Sequence, residues 1–238
     1  MEKLQSISAA AKAASRAERR SGRSPINDRP GVYTLFWIFV VASVLGYILE
    51  MLFWYFHNGY FESRKGLVYG PFSQVYGFGA VLLTLLLYRL RDKNPLVIFG
   101  VSAFAGAAFE YLCSLLQELA LGTVSWQYSH AKYNIGGRTT LKYAFFWGVL
   151  GLVFIRFCYP LLCGAIERFP RRYGNWVAGA LAVFLCFDIL LSVAAIKRGT
   201  DRSEGLPPQT SFGQFLDRRF DDARMREIYP NMKVVPNK

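Results

Sequence analysis

Apolar positions in this chain are gathered into long runs rather than spread among charges. Residues 1–32 hold almost nothing apolar beyond alanine, residues 33–195 are nearly all apolar, and residues 197–238 turn polar again. A soluble core mixes apolar and charged positions, whereas runs of about 20 apolar residues match the length that carries a helix across a bilayer. The runs predict five spanning helices, at roughly Tyr33–Phe56, Val75–Tyr88, Leu96–Leu119, Tyr143–Gly164 and Trp176–Ile196. The second is short, and the apolar stretch Gly66–Tyr76 before it carries Gly66, Gly70 and Pro71, which interrupt a regular helix. We expect that stretch to enter the membrane as a broken or re-entrant element, or to form a tight packed turn at its surface; irregular backbone at depth must be shielded by protein or line a wet cavity. The expected fold class is all-α, a polytopic membrane helix bundle of about five spans. Beyond it, Phe212, Phe215, Leu216 and Phe220 recur at helical spacing and predict a short amphipathic helix, for the membrane surface, a partner or the protein itself.

Composition adds little to this pattern, but charge adds orientation. The chain of 238 residues is 53% hydrophobic and 18% charged, with a net charge of +12. Lys3, Lys12, Arg16, Arg19, Arg20, Arg23 and Arg29 crowd the N-terminal arm, whose alanine-rich part Ser8–Arg20 could form a surface helix. Arg89, Arg91 and Lys93 mark the second connection, and Arg168, Arg171 and Arg172 the fourth. The positive-inside rule puts these three segments in the cytoplasm, and the sparser first and third loops outside. We therefore read the basic segments as membrane-surface elements and expect no nucleic-acid partner. Five spans place the C-terminus outside, which conflicts with Lys197, Arg198 and Arg202 directly after the last one. The expected organisation is a basic cytoplasmic arm (1–32), a transmembrane bundle (33–196) and a polar tail (197–238).

The bundle resembles itself. Gly46-x-x-x-Glu50 in the first span matches Gly106-x-x-x-Glu110 in the third. The loops that follow end in Arg64-x-x-Leu67-x-Tyr69 and Arg138-x-x-Leu141-x-Tyr143, and then reach Tyr76-Gly77 and Trp147-Gly148. We expect two parallel copies of a two-span unit, at about 33–90 and 96–164, plus one extra span at 176–196. In each Gly-x-x-x-Glu the two residues share a helix face, and glycine lets a neighbouring helix approach there.

Ionisable residues at membrane depth cost about 2.5–3.5 kcal/mol and so face the bundle interior. The candidate intramembrane polar site is Glu50, Glu110, Arg64, Arg138, Gln117 and Ser114. The glutamates could carry protons, bind a cation or pair with the two arginines, or they could only tie helices together. An Arg156–Asp188 pair is a further possibility. Loop candidates for ligand contact are Tyr69, Gly70, Pro71, Tyr76, Trp126, Tyr128 and Asn134, though tryptophan and tyrosine also serve as interfacial anchors. His57 and His130 are isolated, and Cys113, Cys158, Cys163 and Cys186 lack metal spacing; they suit small core thiols. We expect no metal and no cofactor. P-loop, H-E-x-x-H and G-x-S-x-G motifs are absent, so the chain itself is no P-loop ATPase.

The string Arg64-Lys-Gly-Leu-Val-Tyr-Gly-Pro-Phe-Ser-Gln-Val-Tyr-Gly-Phe-Gly79 resembles the "YGP…YGFG" signature of the ABC-transporter type IV family, the CmpB-like permeases. Trp126-Gln-Tyr128-Ser129 and Asn134-Ile-Gly136-Gly137-Arg138 resemble that family's later motifs, so the resemblance covers about residues 35–163. Ser63 stands where the family has asparagine, Ser73-Gln74 where it has Cys-Pro, and Gln127 where it has an acid. The resemblance implies a permease-like subunit of a bacterial-type cytoplasmic membrane, in contact with lipid. A separate ATPase subunit or another membrane protein would be its partner, and a homo-oligomer is a further option. The alternative function is a non-catalytic membrane scaffold or assembly factor, and after it a lipid-modifying or intramembrane enzyme.

Overall fold

The structure, a computed structural model, describes residues 29–235. The predicted helix at Ser8–Arg20 lies outside the described residues. Among the described residues seven helices account for nearly all regular structure: α1 (Val32–Asn58), α2 (Gln74–Leu87), α3 (Pro95–Leu121), α4 (Leu141–Arg168), α5 (Arg171–Ser203), α6 (Ser211–Arg219) and α7 (Asp222–Ile228). Four of them, α1, α3, α4 and α5, are long and apolar enough to cross a membrane. At 1.5 Å per residue the 14-residue α2 reaches only about 21 Å, short of a bilayer core of roughly 30 Å. Four two-residue strands that the sequence pattern does not predict act as clips: β1 (Thr123–Val124) pairs antiparallel with β4 (Lys233–Val234), and β2 (Asn134–Ile135) with β3 (Thr139–Thr140).

Helix ends follow local chemistry. Gly59 and Gly122 close α1 and α3 in the left-handed conformation, which costs glycine nothing. Asn94 caps α3 through its side chain, with Pro95 in the first turn; Thr140 caps α4. A π-turn at Phe154–Cys158 interrupts α4, and there Arg156 donates to the Lys93 carbonyl at 3.2 Å.

α1 packs along α2, and α3 along α4. A core of Ile38, Leu83, Leu87, Ile98, Phe154, Ile155 and Tyr159 joins the pairs toward the end where α1 begins. α5 starts at that same end, where Arg171 stands 4.7 Å above the Tyr33 ring and Phe169 meets Trp37. It finishes at the other end, where Thr200 donates to the Leu121 carbonyl at 2.7 Å. The tail packs there: Leu216, Phe220, Met225, Ile228 and Tyr229 share a core with Val68, Leu191, Ala195 and Ile196. The tail thus lies at the end opposite the start of α1, beside the first and third loops. Arg198 and Arg202 are not free juxtamembrane cations there. Arg198 grips Asp217 through Nε (2.9 Å) and Nη2 (3.0 Å), and Arg202 reaches Asp217 (2.6 Å) and Asp222 (2.8 Å).

The segment between α1 and α2 runs deep. The Ser73 amide donates to the Ser43 carbonyl at 3.0 Å, fifteen residues or about 22 Å below the end of α1. Leu67 and Phe72 pack with Val40 and Leu185, between α1 and α5. Two buried backbone amides on this segment are satisfied by α5: Val68 donates to Ser192 Oγ (2.9 Å) and Tyr69 to Asp188 Oδ1 (3.1 Å). Asp188, wholly buried, therefore meets backbone, and Arg156 lies on another helix at the opposite end; the Arg156–Asp188 pair that the sequence allowed does not form. Of the four cysteines only Cys163 is buried and Cys186 is exposed on α5, so the expectation of four core thiols is corrected. A face turned toward hydrocarbon tolerates a thiol as readily as a core does.

Candidate functional site

Two close helix contacts build the polar sites. Gly46 presses against Tyr76 so tightly that a Cβ there would overlap the ring, and Gly106 stands in the same relation to Trp147. The missing side chain brings α2 onto α1 one turn from Glu50, and the Tyr76 phenol stands in interaction reach of the Glu50 carboxylate. Arg64 is buried nearby. Its Nη2 donates to Glu62 at 2.6 Å, its guanidinium lies 3.9 Å above the Trp54 ring, and it stands within electrostatic reach of Glu50. Gln74 Nε2 holds the Gly66 carbonyl at 3.1 Å. Three buried polar atoms around this cluster find no partner: Arg64 Nε, Trp54 Nε1 and Gln74 Oε1.

The second site is better satisfied. Glu110 accepts from Thr139 Oγ1 at 2.7 Å and from the Tyr128 hydroxyl at 3.1 Å. Arg138 donates to Ser114 Oγ (3.1 Å) and Glu118 (2.7 Å). Gln117 ties α3 to its loop through Thr123 and Ser125. Trp126 Nε1 donates to the Arg138 carbonyl at 3.0 Å, and Asn134 holds the turn by accepting from the Gly137 amide at 2.8 Å. Tyr128 stacks on Tyr143 with centroids 4.6 Å apart; burial, and then the Glu110 charge, push its phenol far above the ordinary range. It stays a neutral hydrogen-bond donor at any physiological pH.

The predicted site residues thus divide. Glu110, Arg138, Ser114, Gln117, Trp126, Tyr128 and Asn134 gather around the end of α3. Glu50, Arg64 and Tyr76 gather on α1. Tyr69, Gly70 and Pro71 belong elsewhere: Tyr69 lies edge-on to Phe220 of the tail, Gly70 takes a positive φ of 67°, and Pro71 is exposed. Both arginines take other carboxylates as salt-bridge partners, Glu62 and Glu118. Glu118 was legible, since it extends the stripe Glu110–Ser114 by one more turn. Glu62 stands only two residues from Arg64 along the chain, whereas Trp54 and Thr139 carry no comparable signal, because their proximity comes from loop folding. The two sites are not isolated, for Tyr76 lies within electrostatic reach of Glu110 as well as Glu50. His57 stacks on Phe53, and His130 is exposed. Among the described residues no cluster of His, Cys, Asp and Glu could hold a metal ion.

A family model described as "Putative ABC-transporter type IV" matches residues 37–193, about two thirds of the chain. The match extends past the motifs of the two loops into α5 and stops before the tail. No curated protein and no solved structure matches the chain.

Proposed function

The chain belongs to this family of ABC-transporter type IV membrane proteins, and from that premise we propose that it is a permease-like subunit whose polar site lies between two copies of a two-span unit. The repeat is supported by contacts that recur at fixed offsets: Phe39 with Gly77 and Gly46 with Tyr76 in one pair, Phe99 with Gly148 and Gly106 with Trp147 in the other. The shared site is supported by Tyr76, which packs against Gly46 one turn from Glu50 and lies within electrostatic reach of both Glu50 and Glu110. Two carboxylates within electrostatic reach of one phenol suit handing on a proton or seating a cation. The chain crosses the membrane five times in this reading, α2 together with the segment before it forming the second crossing. The N-terminus is cytoplasmic and the tail lies outside.

The ATPase that drives such a subunit is a separate protein. Its docking surface is the end carrying Arg89, Lys93, Arg168 and Arg172, all exposed. Two experiments test the reading. Charge reversal at Arg89 and Lys93 should abolish copurification of the ATPase; no ATPase recovered even with the wild-type chain sinks the ABC assignment. A Glu50→Gln, Glu110→Gln double variant that fully complements a deletion strain sinks the shared site.

A second reading, a membrane scaffold, is favoured by one observation: the tail binds both outer loops. Ser63 donates to the Ile228 carbonyl (2.8 Å), and Asn231 to the Ser125 carbonyl (3.0 Å). It predicts that deleting residues 205–238 removes function while the glutamate variants lose only stability.

A further inference from the structure

A groove of about 390 Å³ opens where the first loop meets the tail, lined on one side by Phe61, Glu62, Ser63 and Lys65 and on the other by Arg224 to Ile228 and Pro230. That volume lies in the range of small-ligand sites. Its charges are not balanced. Glu62 is engaged by Arg64 at 2.6 Å, and Glu227 is engaged by Arg224 at 2.5 Å. With both acids engaged, Lys65 and Arg226 remain; no salt bridge holds either among the described residues, though Lys65 also stands within electrostatic reach of Asp188. One cation comes from the loop and the other from the tail, so they face the groove from its two walls. Phe61, Ile228 and Pro230 add apolar surface to the same lining. The groove also sits beside the end of α1, where Phe56, Tyr60 and Phe61 are exposed. Aromatic residues gathered at the end of a spanning helix mark the headgroup level of a bilayer.

We propose that this groove binds a phosphate group, with Lys65 and Arg226 as its two cationic contacts and an anionic phospholipid headgroup as its source. A phosphate offers acceptor oxygens to both cations at once, and the ester substituents suit the apolar part of the lining. A bound headgroup bridges loop and tail, and so holds the tail down on the first loop. The site is independent of the glutamates and of any transport cycle.

The test uses the full-length chain in nanodiscs of mixed phosphatidylglycerol and phosphatidylcholine, with retained lipid read by native mass spectrometry. Wild type should retain phosphatidylglycerol preferentially, and Lys65→Gln with Arg226→Gln should lower that retention about tenfold or more, the loss expected when two basic contacts to an anionic headgroup are removed. Each single variant should show an intermediate loss, which covers the case that the double variant misfolds. Removing Lys197 and Asp201 together, an ion pair outside the groove, leaves the net charge unchanged and should leave retention unchanged. Added inorganic phosphate separates the sources: displacement of the lipid by millimolar phosphate supports the phosphate site and moves its source to the free ion, whereas no displacement supports the headgroup. Equal retention of both lipids by wild type, unchanged retention in the Lys65 and Arg226 variants, or an equal loss in the charge-neutral pair overturns the proposal.

Discussion

Asp217→Asn tests what holds the tail to the bundle. Asp217 accepts three charge-assisted hydrogen bonds, two from Arg198 and one from Arg202. The side chains of Arg198, Arg202 and Asp217 are 9%, 15% and 22% exposed, so the cluster is neither a surface pair nor fully buried. Asparagine keeps the shape and one accepting oxygen but removes the charge, and its NH2 meets a guanidinium where the second carboxylate oxygen accepted; Arg198 keeps the Leu206 carbonyl, and Arg202 keeps Asp222 and the Phe220 carbonyl. We expect a cost of about 2–3 kcal/mol, between the roughly 0–1 kcal/mol of an exposed pair and the roughly 3–5 kcal/mol of breaking a buried one. That raises the population of released tail about 30- to 150-fold. Hydrogen exchange on peptides covering residues 211–235 measures it, with Lys197→Ala as the control, since Lys197 touches only Asp201. Exchange that stays at the wild-type rate in Asp217→Asn refutes the reasoning. The pH dependence follows from the same contacts. Hydrogen bonds, first from Arg198 and then from Arg202, hold the Asp217 carboxyl below its ordinary range. Its contribution is therefore complete above the unfolded value of about 3.9 and is lost as pH falls through the depressed folded value. The tail of the wild type should loosen in that acid window, and the Asn variant should not respond there.

Other outcomes follow from the packing. Gly46→Leu and Gly106→Leu each force a side chain into an aromatic ring, and each should lower stability by about 1–3 kcal/mol or more, read as an earlier melt in detergent. Gly100→Ala, where a Cβ meets nothing, should be neutral in the same assay. Asp188→Leu strips the acceptor from the Tyr69 amide and should cost about 1–3 kcal/mol, whereas Asp188→Asn should cost less because an amide oxygen still accepts. Single cysteines placed at Tyr60 and Gln209 should react with an impermeant reagent from the same side of the membrane, and one at Lys93 from the other. Labelling of Gln209→Cys together with Lys93→Cys contradicts the placement of the tail.

The runs of apolar residues in the sequence determined much of this protein. A span needs about 20 such residues, so α1, α3 and α4 were visible within a few positions, as were the middle of α5 and the shortness of α2. The match between Gly46-x-x-x-Glu50 and Gly106-x-x-x-Glu110 was visible too, because close helix contact demands a small residue at a fixed spacing. Which carboxylate each arginine takes was not legible. Arg64 turns to Glu62 and Arg138 to Glu118 because the loops fold back, and loop geometry leaves no period in sequence. The Arg156–Asp188 pair that the sequence allowed does not form for the same reason: two charges at membrane depth suggest each other, but only the packing of α5 against the first loop gives Asp188 a backbone amide instead. The tail was the hardest element. Its basic residues argued for the cytoplasm when counted along the chain, and only the tertiary structure brings Asp217 and Asp222, fifteen to twenty residues away, onto Arg198 and Arg202. Periodicity reports which face of a helix is buried; the partner of a charge is decided by whichever distant segment the fold brings within hydrogen-bond reach.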